Sequence, residues 1–151
     1  MTFEAAVRTT PDIAGGYEIG LRAIKGEHRR KMTKTAQCRW RGSVDLEARL
    51  APLNPGRPQW DYAIGFGYAN QSDGVAYVEV HSAATTHVRD VISKKDWLTS
   101  WLDRRAPDLR ALPVGGFYWV STDGVHIRPG SPQSLRLAQH GILLRGIARI
   151  G

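Results

Sequence analysis

Two apolar stretches stand close together in the middle of the chain. DYAIGFGYA (61–69) and VAYVEVHSA (75–83) are aromatic and β-branched, and the NQSDG segment between them carries turn chemistry. The pattern predicts two strands joined by a turn. Further on, Val88, Val91, Ile92, Leu98 and Leu102 fall on one helical stripe. That predicts a helix over roughly 86–104, capped by Thr85 or Thr86, with Arg104 and Arg105 in its last turn and Pro107 as its stop. GGFYWVSTDGVHIRPG reads as a strand, an Asp123-Gly124 hairpin turn and a second strand. Before the central pair, Ser43 can cap a short helix, VDLEARLAPL, which Pro52 or the NPGRP loop (54–58) ends. After it, SLRLAQH predicts a short helix and ILLRGIARI a last strand or extended segment. YEIGLRAI fits strand and helix equally, RRKMTKTAQCRWRG runs into a strand near Gln37–Arg41, and residues 1–14 read as a loose leader before a single domain over 15–151. The order of elements predicts an α+β fold, a central mixed sheet flanked by helices.

The central pair carries polar residues where core or solvent-facing residues would serve. If the turn centres near Ser72, Gly65 lies opposite Glu79 and Ala63 opposite His81. Asp61, Ala63, Gly65, Glu79 and His81 then share one face, and Tyr62, Ile64, Phe66, Val78 and Val80 share the other. Small residues opposite the acids leave room beside them. Two neighbouring carboxylates in a cleft repel unless a cation lies between them, and a hard divalent ion with oxygen ligands, Mg²⁺ with Mn²⁺ as substitute, fits that demand.

Charge widens the picture. The chain has 151 residues, 42% hydrophobic and 23% charged, with a net charge of +7. An excess of positive charge suits a polyanion, nucleic acid first. Arg29, Arg30, Lys31, Lys34, Arg39 and Arg41 lie in one short stretch and are the candidates for nucleic-acid contact, with a solvated basic surface as the other reading. Trp97 and Trp101, four apart, read as packing residues first and as base-stacking residues second. A single cysteine, Cys38, leaves no internal disulfide and no cysteine-built zinc site. No apolar run approaches the ~20 residues of a membrane span, and a cytoplasmic location is expected. Neither a G-x-x-x-x-G-K-[ST] nor a G-x-S-x-G motif occurs.

Pro58-Gln59-Trp60-Asp61, followed by Glu79-Val80-His81 on a strand that leads into a long helix, resembles the PD-(D/E)XK nuclease superfamily. The wording GSVDLEARL, WDYAIGFGY, VEVHSAATTHV and KKDWLTSWL is also similar to a small bacterial protein family. The first resemblance covers about half the chain, from the loop at 54 to the helix end near 104. It implies a restriction-endonuclease-like fold and a metal-dependent phosphodiesterase site. Asp61 and Glu79 would hold Mg²⁺, and Asp45, from the first helix, would be the third acid. The lysine position of the motif holds His81 here, a residue able to act as a general base or a ligand. In that superfamily the lysine sometimes moves to the following helix, where Lys95 lies on the apolar stripe and needs a partner for its charge. The alternative is a non-catalytic module of the same fold that binds nucleic acid or protein. In a third reading, the polar hairpin face is an oligomer contact.

Overall fold

A computed structural model describes residues 1–151 apart from the side chain of Val125. Its centre is a five-stranded mixed sheet in the order β2 (Arg39–Asp45), β3 (Tyr62–Gly67), β4 (Gly74–Ala83), β5 (Val114–Val125), β6 (Ile142–Arg145). The first three strands are antiparallel neighbours; β4, β5 and β6 run parallel. Parallel neighbours need a crossover, and helices supply both. Helices α4 (Val88–Arg105) and α5 (Pro107–Ala111) connect β4 to β5, and α6 (Pro132–Gln139) connects β5 to β6. Short helices α1 (Phe3–Arg8), α2 (Gly26–Arg29) and α3 (Leu46–Leu50) precede the hairpin. Strands β1 (Met32–Lys34) and β7 (Ala148–Ile150) form a separate parallel pair. The fold is α+β, a mixed sheet flanked by helices. Among the described residues no helix is long and apolar enough to cross a membrane.

Side-chain alternation splits the core in two. Ala63, Val75, Tyr77 and Trp119 meet Phe3, Val91, Leu98 and Trp101 on the helical face. Tyr62, Ile64, Val78 and Val120 meet Ile24, Met32, Cys38 and Ile150 on the other face. Central strands buried on both sides explain why β3 and β4 read as continuous apolar runs.

Several expectations change. The turn centres near Asn70 instead of Ser72, because the first strand ends at Gly67 and Tyr68 and Ala69 join the loop: Tyr62 pairs with Val78 and Gly65 with Val75. The shift from the expected pairing is even, so the face assignment survives, but the partner of Glu79 becomes Asp61 instead of Gly65. Gly65 does not make room for the acids either. A Cβ there would come within 2.2 Å of Phe3 Cγ, so the glycine admits the ring of α1. Residues 1–14 are accordingly no loose leader: Phe3, Ala6, Val7 and Ile13 are fully buried. Ser43 does not cap α3. It lies buried in β2, accepting from the Ala23 N–H at 3.1 Å, and Asp45 is the cap, accepting from the Ala48 N–H at 3.0 Å. No hairpin forms at Asp123-Gly124. Instead β5 bulges there: His81 pairs with Ser121 and Ala83 with Val125, so Thr122, Asp123 and Gly124 stand against Ser82 alone, with Gly124 at φ 92°.

Candidate carboxylate site

The antiparallel pairing of β3 and β4, continued one step beyond Tyr62 and Val78, sets Asp61 beside Glu79. Two hydrogen bonds lock them. The Asp61 N–H donates to Glu79 Oε1 at 3.1 Å, and the Val80 N–H donates to Asp61 Oδ2 at 2.8 Å. Each acid thus ties the other's strand, and the backbone order of the hairpin carries over to the carboxylates. Glu79 is completely buried. Its second oxygen accepts from Lys94 Nζ at 2.5 Å, a cation brought down from α4.

The charges do not balance. Burial raises Glu79 above the usual carboxylate range, and the Lys94 ammonium pulls it back. Among the described residues no cation pairs with Asp61. Burial first, then the Glu79 charge and the nearby Glu47 carboxyl, push it up to about 9, while the Val80 N–H opposes them. Two neighbouring acids with a lysine on only one of them form an electrostatically unfinished group.

That group opens into a cavity of about 580 Å³. Asp45 and Glu47, at the start of α3, form its acidic wall beside Asp61 and Glu79. Lys25, His28, His81 and Lys94 supply its basic edge. His28 Nδ1 lies 2.8 Å from the Tyr62 hydroxyl, which fixes that ring against β3. His81 Nδ1 lies 2.9 Å from the Ser82 carbonyl. A carbonyl only accepts, so Nδ1 carries the proton and the neutral ring keeps its lone pair at Nε2. The ring also meets His87 edge-on, with centroids 4.4 Å apart.

The sequence-derived candidates divide. Asp61, Glu79, His81 and Asp45 line one cavity. Asp45, however, spends an oxygen on capping α3, and the third acid that acts on Asp61 is Glu47. Lys95 is elsewhere: its Nζ stands 4.6 Å over the Phe117 ring. The stripe placed Lys95 correctly over the core, but the carboxylates lie under the flank of α4, one residue and about 100° round the helix, where Lys94 points. The basic stretch stays outside this cavity. Arg29 is a staple, donating to the carbonyls of Ile24 at 2.7 Å, Leu21 at 3.0 Å and Arg22 at 3.3 Å. Arg41 Nε lies 3.2 Å from Asp73 Oδ1, in an ion pair without hydrogen-bond alignment. Arg39 and Arg41 line a different groove, with Trp40 and Tyr68. Arg30 is exposed, and Lys31 and Lys34 are half-buried.

Among the described residues no three His, Cys, Asp or Glu side chains converge into a ready-made metal cage. The donor set nevertheless suits a hard divalent ion, because Mg²⁺ is commonly held by one or two carboxylates plus water and substrate phosphate. The half-buried Asp61, which has no ion-pair partner among the described residues, beside the fully buried Glu79 is the feature that fits. Comparison with protein families, with curated proteins and with solved structures finds no match to this chain.

Proposed function

We propose that the protein is a metal-dependent phosphodiesterase acting on nucleic acid, in the manner of restriction-endonuclease-like folds. The observation that carries this reading is the locked Asp61–Glu79 pair, with Lys94 on one acid and no cation on the other. Asp61 and Glu79 would hold Mg²⁺, or Mn²⁺ in its place. The ion would supply Lewis-acid charge at the scissile phosphate. Lys94 favours the charged form of Glu79 and borders the cavity, where an ammonium can meet a phosphate oxygen. His81, with its lone pair held at Nε2, takes the proton from the attacking water in the place where the motif has lysine. The net charge of +7 draws a polyanion to the molecule as a whole.

The test is cleavage of DNA and RNA with and without divalent ions. Mn²⁺- or Mg²⁺-dependent cleavage that is lost in Asp61→Asn and in Glu79→Gln supports the reading. Cleavage that survives the double variant Asp61→Ala/Glu79→Ala overturns it.

A second reading has its own support. Lys94 already neutralises Glu79, and His81 stands in the motif's lysine position. Both would suit a non-catalytic module that retains the cleft for binding nucleic acid or a protein. Divalent ions separate the two readings: a two-carboxylate site is stabilised against melting by Mn²⁺, and a binding module has no specific response.

A further inference from the structure

The cavity above Asp61 and Glu79 does not end at Lys94. A second hollow, of about 290 Å³, adjoins it, and the two share Pro58 and Lys94 in their walls. One wall of the second hollow is a single face of α4: Asp90, Ser93, Lys94 and Trp97 recur at i, i+3, i+4 and i+7. Asn54 and Arg57, from the loop before β3, form the opposite wall. Trp97 is half-buried. Part of it packs against the helical-face core, and the rest borders the hollow. Arg57 is exposed, and among the described residues its guanidinium joins no ion pair.

An aromatic wall, two cations and a few short polar side chains form a specific chemical combination. An indole offers a surface for a heterocycle, a guanidinium matches a phosphate, and Asn54, Ser93 and Asp90 offer donors and acceptors to a base edge. The volume sits at the small end of ligand cavities, which begin near about 300 Å³, and so suits one heterocycle. A base inside a duplex is covered on both faces by its neighbours, so stacking on Trp97 requires an unpaired base. The hollow and the carboxylate cavity lie side by side, with Pro58 and Lys94 lining both, so a strand whose scissile phosphate lies at Asp61 and Glu79 would run its next nucleotide past Lys94.

We infer that this hollow is a nucleotide subsite: Trp97 stacks an unpaired base, Arg57 holds the adjoining phosphate, and the protein therefore takes single-stranded nucleic acid. The inference rests on the phosphodiesterase reading for where the strand is cut, but it is tested by binding alone. The full chain is titrated in EDTA with fluorescein-labelled decathymidylate, with the same strand carrying abasic residues, and with a ten-base-pair duplex. The base-bearing strand binds about tenfold tighter than the abasic one. Trp97→Ala removes that difference, and Trp97→Phe, which keeps an aromatic in the core, retains most of it. Arg57→Ala weakens both strands and lowers the salt slope by about 0.7. Equal affinity for base-bearing and abasic strands, no binding of single strands, or a preference for the duplex overturns the subsite. The same proteins with Mn²⁺ report separately on cutting. Base-dependent binding without cleavage sinks the phosphodiesterase reading and leaves the subsite, whereas cleavage without base-dependent binding does the reverse.

Discussion

The β3–β4 hairpin carries a carboxylate at each end, and the two are handled in opposite ways. Asp73, at the loop end, is buried, accepts from the Phe3 N–H at 2.8 Å and faces the Arg41 guanidinium at 3.2 Å. One acid there meets one cation and one backbone donor, and its work is to tie α1 and β2 to the turn. Asp61, at the open end, also accepts a backbone N–H, but its nearest charged neighbours are Glu79 and Glu47. The same residue type on the same two strands is complete in one place and short of positive charge in the other. A buried acid with its own cation is an anchor; one that faces further acids and a cavity is a place for something that arrives.

The sharpest break of this comparison is in activity. Under the proposed function, Asp61→Ala/Glu79→Ala lowers divalent-dependent cleavage by about a thousandfold or more, since it removes the several kcal/mol that metal-ion charge stabilisation supplies. Asp73→Asn, at the complete end, leaves the cleavage rate per folded molecule unchanged. Both are read by single-turnover cleavage assays.

Next in size is stability. Lys94→Ala leaves Glu79 buried without its cation and destabilises by about 3 kcal/mol in denaturant unfolding at neutral pH. Asp73→Ala strands the Phe3 N–H and the Arg41 guanidinium and costs about 2 kcal/mol by the same measurement. If Lys94→Ala proves the milder of the two, Glu79 is not held by that lysine in the way the geometry requires.

The pH dependence separates the two ends without any activity assay. The folded-state pKa of Asp61 is about 9, against 3.8 for the free group. Folded protein therefore keeps a proton that unfolded chain gives up. The stability this contributes is full below about pH 4 and drains away as pH rises towards 9, by at most about 1.4 kcal/mol per pH unit. Asp61→Asn flattens that part of the profile, and saturating Mn²⁺ flattens it in the wild type. The smallest effect is at Lys95: Lys95→Ala loses an ammonium over a ring, about 0.5–1 kcal/mol, and leaves Mn²⁺ stabilisation as it was.

Much of this was readable in the chain. The period-two alternation put Asp61 and Glu79 on one face even though the turn was centred wrongly, because an even error in register does not change faces. The helical stripe located α4 to within two residues at its start and one at its end, and it placed Lys95 over the core, where Lys95 is. Reading that stripe as the route to the acids was the step that failed. Which flank of a helix overlies a given strand end depends on how the helix packs on the sheet, and hydrophobic spacing does not contain that angle. Asp45 lines the cavity with Asp61 and Glu79, and Glu47 joins it there. Asp45, and not Ser43, starts α3, which leaves Asp45 as a cap and brings Glu47 towards Asp61. Arg29 and Arg41 looked available as phosphate ligands because a run of basic residues shows charge and hides partners, which here are three carbonyls and Asp73.

By itself, then, the sequence determined the class of fold, the positions of the central strands and long helix, and the placing of two acids on one face. All of these are local or periodic properties, set by side-chain size and by alternation along a strand or helix. Only the tertiary structure decided which cation answers Glu79, that Asp61 has none, that Gly65 makes room for Phe3, and that Trp97 and Arg57 border the same hollow. Those are contacts between segments far apart in the chain, and they follow from the angle and depth at which α1 and α4 settle on the sheet.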